Sequence, residues 1–319
     1  MPNYRIVFLD TDTVGNVPNL DDFSELGEYT KYPQTHPEEL IGRVANQDII
    51  ISNKVMIGEG TMRSTPSLRL ICVAATGMNN VDLEAARKLN IAVKNVTDYS
   101  TYSVAQLTFG MLLQLLHRHD YYNEYVYSGK YSRQSLFTHL GHPFWHLQGR
   151  QWGIIGLGNI GKQVATIAEA VGAKVVYFST SGKNNNAQYP RLSLDELLAT
   201  SDVVSIHAPL NENTQNMLTY KQLTKMQPHS LLVNTGRGGI VNEADLARAI
   251  DEAIIAGAAA DVYGQEPVPL SHPYLQIRRK ERLLLTPHIG WASIEARTLL
   301  IDRVYQNIQQ FMAGESTRT

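Results

Sequence analysis

Short apolar runs alternate with amphipathic stretches along this chain, and that alternation restricts its fold more than any other feature. Residues 6–9, 49–51, 70–73 and 91–93 read as strands. Between them lie an amphipathic run, 37–44, and a run at 82–89 that opens on Asp82, an acid placed to cap its first turn. A second series begins near Gln151, with strands at 152–155, 174–178, 203–207, 230–233, 255–260 and 282–285 and helices at 160–171, 193–200 and 243–251. A last helix, 293–312, spaces Ile294, Leu299, Ile301, Val304, Ile308 and Phe311 along one face. Strands joined through helices pair in parallel, because a parallel neighbour needs a long crossover. The expected class is α/β with parallel sheets, and 319 residues at about 150 per domain suit two domains.

The longest helical stretch, 99–117, is apolar on most faces, which implies burial in a core or a subunit contact. Tyr121, Tyr122, Tyr125, Tyr127 and Tyr131 follow it, as an arm packing on a partner or as an amphipathic surface helix. Helical geometry would point His117 and His119 apart. The balance of 28 basic and 30 acidic residues argues against nucleic-acid binding through bulk charge. Cys72 is the single cysteine, so no intramolecular disulfide or multi-thiolate metal site can form, which favours a reducing compartment. The histidines lack metal-ligand spacing, and no metal is expected. The first ten residues hold too short an apolar run for a signal peptide, and no run approaches the roughly 18 apolar residues of a membrane span. The expectation is a soluble cytoplasmic protein.

One local motif carries chemistry. Gly156-Leu157-Gly158-Asn159-Ile160-Gly161 follows a strand and opens a helix, the setting of a dinucleotide-binding turn. Gly156 would allow the tight turn, Gly158 the close approach of a pyrophosphate, and Gly161 the packing of helix on strand. The helix N-terminus would face phosphates with unpaired N–H groups. The acid usually found at the next strand end is absent, and Ser179 stands in its place. Without that carboxylate, a ribose 2′-phosphate is no longer repelled, and nearby hydroxyls with Lys183 could hold it, although no arginine follows directly. The expectation is NAD use with NADP tolerated.

Three further segments each follow a strand of the second series: 233–242 with Arg237, 260–267 with Glu266, and 285–291 with His288. With the fingerprint, and with 75–82 in the N-terminal part, they make the chain similar to the D-isomer-specific 2-hydroxyacid dehydrogenases over nearly its whole length. The resemblance implies two Rossmann-like or flavodoxin-like domains flanking a cleft. It places a substrate domain at 1–99 with 290–319 and an inserted NAD(P)-binding domain at 100–289. It also implies a homodimer through the 100–147 region.

Residue chemistry suits that family. Arg237 offers a permanently charged planar fork for a substrate carboxylate and the C2 oxygen. His288 can exchange the hydroxyl proton, and Glu266 beside it would favour imidazolium and fix its tautomer. The resemblance assigns the substrate carboxylate to backbone N–H groups of Ala75, Thr76 and Gly77, with Thr76 also touching the cofactor. It places Asn159 and Ile160 at the pyrophosphate, Ser179, Ala208 and Pro209 near the adenosine, and Thr108, Thr235, Gly236 and Asp261 on the nicotinamide side. Trp291 is similar to that of members acting on hydroxypyruvate or glyoxylate, or it packs at the hinge. The implied activity is reduction of such a 2-keto acid, with reduction of pyruvate or an NAD(H)-responsive corepressor-like binding role as alternatives. The other histidines, His207 included, show no comparable context.

Overall fold

Every strand pairing among the described residues is parallel, as the alternating pattern requires. The computed structural model describes residues 4–314. Its backbone divides into two units, Met1–Ser100 with Trp291–Thr319, and Thr101–Gly290.

The first unit contains β1 (Tyr4–Phe8), β2 (Gly27–Lys31), α1 (Pro37–Val44), β3 (Ile49–Ser52), α2 (Glu59–Arg63), β4 (Leu70–Val73), α3 (Leu83–Lys88) and β5 (Ala92–Lys94). The sheet order is β2-β1-β3-β4-β5, a flavodoxin-like arrangement. Successive strand residues face opposite sides. Ile6, Phe8, Ile49, Ile51, Leu70 and Cys72 pack on the C-terminal helix, Ile294–Met312, through its Leu300, Ile301, Val304 and Ile308. Val7, Ile50, Ile71 and Val73 pack on the other helices through Leu40, Val44, Met62, Ala85 and Ala86. Asp82 caps α3, its Oδ1 accepting from Ala85 N–H at 2.9 Å. Strand β2 was not expected. Its sequence, Gly-Glu-Tyr-Thr-Lys, is polar because an edge strand with half-exposed residues needs no apolar run.

Asp10 closes β1 and joins two of these strand ends. It is 3% exposed and accepts the backbone N–H groups of Asn53 at 2.9 Å, Lys54 at 2.6 Å and Val55 at 3.3 Å. Burial pushes its carboxyl above the usual range, while those three hydrogen bonds pull it down.

The second unit contains α4 (Thr101–His117), α5 (His119–Tyr127), α6 (Lys130–Arg133), β6 (Gln151–Ile155), α7 (Asn159–Ala170), β7 (Lys174–Phe178), α8 (Leu194–Thr200), β8 (Val203–Ile206), α9 (Tyr220–Leu223), β9 (Leu231–Asn234), α10 (Glu243–Asp251), β10 (Gly257–Ala260) and β11 (Leu283–Leu285). Strand order is β11-β10-β9-β8-β6-β7. The chain leaves β6 first to one side and then to the other, and such a reversal opens a ligand crevice at the strands' carboxyl ends.

Helix α4 buries Ala105, Met111, Leu112 and Leu115 against Trp152, Ile154, Val233 and Ala259 of its own unit. Helix α5 buries none of its residues. His117 and His119 do not point apart: Arg118 takes a left-handed conformation that breaks the helix and stacks the two rings at 5.3 Å. The tyrosines form a surface cluster in which Tyr125 stacks on His139 at 3.8 Å. Val126, Tyr127, Leu136, Phe137, Leu140 and Phe144 are exposed beside it.

Replacing Asp10 with Ala strands three N–H donors and is expected to cost about 2–3 kcal/mol. Urea unfolding measures this, and a loss under about 0.5 kcal/mol would contradict the assigned role.

Candidate active site

Register aligns the strand ends of the second unit. Leu285, Ala260, Asn234, Ile206, Ile155 and Phe178 are paired neighbours across the sheet. The next residue of each strand therefore falls in one row: Thr286, Asp261, Thr235, His207, Gly156 and Ser179.

The glycine turn stands fifth in this row, one place from its β7 end. Gly156 has φ +91°, and a Cβ there would lie 2.9 Å from the backbone of Ala208. Only glycine meets both demands. A Cβ at Gly161 would strike the Gly156 carbonyl, so the helix sits directly on the turn. Gly158 differs, with nothing within 4 Å of its Cβ position. Its backbone faces open space where α7 begins, and the first N–H groups of a helix attract phosphate. These residues fit a dinucleotide pyrophosphate.

Beside the turn runs a hydrogen-bond chain whose ends are buried and whose central histidine, His207, is half-buried. Trp152 Nε1 donates to Ser205 Oγ at 2.9 Å, Ser205 Oγ meets His207 Nε2 at 3.0 Å, and His207 Nδ1 meets Thr235 Oγ1 at 3.4 Å. Thr235 Oγ1 meets Thr108 Oγ1 at 2.8 Å, and Thr108 donates to Val104 O at 2.8 Å. An indole N–H only donates and a carbonyl only accepts, so the protons between them have one order. Thr108 spends its proton on Val104, so Thr235 donates to Thr108. Thr235 then accepts from His207 Nδ1–H, and Ser205 donates to His207 Nε2. His207 is thereby a neutral ring with its proton on Nδ1, and burial lowers its pKa to about 3. His207 had no visible context in the sequence, because its partners come from β6, β8, β9 and α4.

Arg237, Glu266 and His288 lie just beyond the row. Asn234, 4% exposed, straps the arginine loop by accepting Gly236 N–H at 3.1 Å and donating to Arg237 O at 3.1 Å. Arg237 donates through Nη1 to Gly236 O at 2.8 Å. At Gly238 a Cβ would overlap the Tyr263 carbonyl, so the arginine loop lies backbone to backbone on the glutamate loop. Glu266 Oε1 accepts Tyr263 N–H at 3.0 Å, and Oε2 accepts His288 Nδ1–H at 2.7 Å. The carboxylate fixes the ring's tautomer and leaves Nε2 as the nitrogen turned away from it. Glu243 braces the same loop from α10, accepting Gly264 N–H at 2.7 Å and meeting His272 Nε2 at 3.0 Å.

His288 has φ +55°, a left-handed conformation that costs a non-glycine residue of order 1 kcal/mol or more. Asp261, 1% exposed, holds it there. Oδ1 accepts Thr286 Oγ1–H at 2.6 Å and Ile289 N–H at 2.8 Å, and Oδ2 accepts Gly290 N–H at 2.7 Å. Burial raises the Asp261 carboxyl above its usual range against those bonds. Tyr263 Oη donates to Thr286 O at 2.8 Å, joining the glutamate and histidine loops.

Among the other sequence candidates, Ala208 is buried and Pro209 exposed at the end of β8, and Asn159 and Ile160 open α7. In the first unit, Ala75, Thr76 and Gly77 follow β4, with Thr76 Oγ1 donating to Val96 O at 2.9 Å. Trp291 packs on that unit's core, edge to face with Tyr99 at 6.4 Å. Among the described residues no three His, Cys, Asp or Glu side chains form a metal-holding group, and no helix is long and apolar enough to cross a membrane.

The family model for the D-isomer specific 2-hydroxyacid dehydrogenase, NAD binding domain, matches residues 109–290. The chain belongs to the D-isomer specific 2-hydroxyacid dehydrogenase family. A glycerate dehydrogenase of Methylorubrum extorquens is 35% identical over 98% of this chain and 97% of its own length. A hydroxypyruvate reductase of Blautia hydrogenotrophica is 34% identical over 97% of each chain. The structure of an NAD-dependent formate dehydrogenase from Staphylococcus aureus in complex with NAD aligns with a TM-score of 0.82 at 29% identity, covering 98% of this chain and 97% of the other. The protein is thus an oxidoreductase with an NAD-binding domain, built from two parallel-sheet α/β units.

Three outcomes test this arrangement. A depressed imidazole pKa adds stability that is present above about pH 6.5 and lost as pH falls toward 3. His207→Asn is expected to flatten the acid side of the stability–pH curve, whose slope from one such group is at most about 1.4 kcal/mol per unit. Nitrogen NMR should show the His207 ring neutral at pH 5, and a protonated ring would contradict the proton order. Gly238→Ala should push the arginine and glutamate loops apart and lower kcat by about 100-fold or more, and wild-type kcat would refute the close contact.

Proposed function

We propose that this chain reduces hydroxypyruvate or glyoxylate, with D-glycerate as the product from hydroxypyruvate. The Glu266–His288 hydrogen bond at 2.7 Å carries the reading, because it pairs an oriented proton donor with the Arg237 loop at one sheet edge. The substrate preference follows the relatives named glycerate dehydrogenase and hydroxypyruvate reductase.

Arg237 binds the substrate carboxylate and draws charge onto the C2 oxygen. His288 gives a proton from Nε2 to that oxygen in reduction and takes it back in oxidation. Glu266 holds the ring in the required tautomer and orientation. Ala75, Thr76 and Gly77 contribute backbone N–H groups to the carboxylate, and Trp291 shapes the substrate end. Gly156, Gly158, Asn159, Ile160 and Gly161 hold the cofactor pyrophosphate. Ser179, Ala208 and Pro209 hold the adenosine half, and Thr76, Thr108, Thr235, Gly236 and Asp261 the nicotinamide half. The nicotinamide, when bound, supplies the hydride. Asp261 has one acceptor position left after holding the His288 turn. Residues 1–99 with 290–319 serve as the substrate domain and 100–289 as the cofactor domain.

We also read the exposed apolar residues around α5 as a homodimer surface within the 100–147 region, and the single buried cysteine as suiting the cytoplasm.

Reduced-cofactor oxidation with hydroxypyruvate, glyoxylate, pyruvate and 2-ketoisocaproate tests the substrate. The first two should give the highest kcat/KM, and preference for pyruvate would redirect the reading to a D-lactate dehydrogenase type. Arg237→Ala should lower kcat/KM by about 3 kcal/mol, roughly 100-fold. His288→Ala should lower kcat by about 1000-fold with cofactor still bound in a fluorescence titration. Near-normal kinetics in either variant would remove that residue from the mechanism.

A further inference from the structure

The strand that follows the glycine turn ends without a carboxylate. From Ala170 to Leu194 the chain carries Lys174, Lys183 and Arg191 and no acid. Ser179 holds the row position next to Gly156 and is 5% exposed. Its Oγ accepts Asn184 N–H at 3.3 Å, so its own proton remains to donate. Gly182, at φ +71°, turns the chain with its N–H on Ser179 O at 3.2 Å, and Lys183 N–H donates to Ser181 Oγ at 3.3 Å. Asn184 Nδ2 then donates to Leu157 O at 2.6 Å, strapping the loop to the glycine turn.

The sequence shows no arginine directly after β7, yet the fold returns one. Tyr177 N–H donates to Pro190 O at 3.0 Å, and Leu192 N–H donates to Tyr177 O at 2.9 Å. This isolated parallel bridge sets Arg191 beside the strand end. Its Nη1 donates to Asn185 Oδ1 at 3.0 Å, and its Nη2 would lie 3.9 Å from a Cβ at Gly182. The acids flanking the segment are engaged elsewhere. Glu169 accepts from Tyr189 Oη at 2.8 Å, Asp195 pairs with Lys225 at 2.5 Å, and Glu196 closes the capping box with Ser193. A carboxylate at this position would accept from a free ribose 2′-hydroxyl and repel a phosphate. Here the strand end offers a hydroxyl donor and a guanidinium, with Lys183 in the exposed loop between them.

We propose that Ser179, Lys183 and Arg191 form a binding site for the ribose 2′-phosphate, so that this chain prefers NADPH to NADH. The proposal rests on the dinucleotide reading of the glycine turn. Arg191 supplies the planar fork that suits phosphate, and Lys183 adds a point charge.

Isothermal titration without substrate tests it, using NADPH against NADH and 2′,5′-ADP against 5′-AMP. The phosphorylated member of each pair should bind at least about tenfold more tightly, as one or two charge-assisted hydrogen bonds allow. That advantage should shrink as salt is raised. Arg191→Ala should lower the NADPH/NADH affinity ratio about tenfold, and Ser179→Asp should invert it, by loss of a cation contact and by repulsion. Equal or tighter NADH binding by the unsubstituted chain would overturn the preference and leave the dehydrogenase reading intact. Unchanged ratios in both variants would overturn the assigned residues. Failure of both dinucleotides to bind would remove the dinucleotide reading and this proposal together.

Discussion

Parallel register governs this protein's chemistry. Six strands of the second unit end level with one another, so six residues from distant parts of the chain stand in one row. Both faces of this sheet are apolar, so its register is set by the fit of the helices packed on each face. The loops beyond the row inherit that precision. Each reactive candidate sits one to six residues past a strand end, close enough for the sheet to hold it.

Buried polar groups then convert row positions into orientations. Asp261 spends three acceptor positions on the turn that carries His288, offsetting its left-handed backbone. Asn234 does the same for the arginine loop, and Glu243 for the glutamate loop. The chain from Trp152 to Val104 locks Thr108 and Thr235 into a single proton order. Orienting groups of this kind let the reacting groups meet substrate already aligned, which is where much of catalytic power originates.

The regular part of this design is readable without coordinates. A strand such as Leu70–Val73 is a continuous apolar run because helices cover both faces. The glycine turn is legible because its spacing states three local steric demands. Strand β2 escaped because its edge position tolerates polar residues, and α2, α6 and α9 because four or five residues carry little periodicity. His207 and Arg191 escaped for another reason. Their surroundings are assembled by contacts between segments far apart or folded back, so no local pattern marks them. The stacked His117 and His119 rings show the converse, where one left-handed residue overrode helical geometry.

The central claim is that Arg237 and His288 act on the same oxygen of one substrate. A crystal structure of the protein with oxidised or reduced cofactor and oxamate, an inert 2-keto acid analogue, tests it most directly. The account predicts the Arg237 guanidinium and His288 Nε2 both within hydrogen-bonding distance of the analogue's C2 oxygen, with Glu266 still on Nδ1. An analogue bound elsewhere, or held with either side chain facing away from it, would contradict the account.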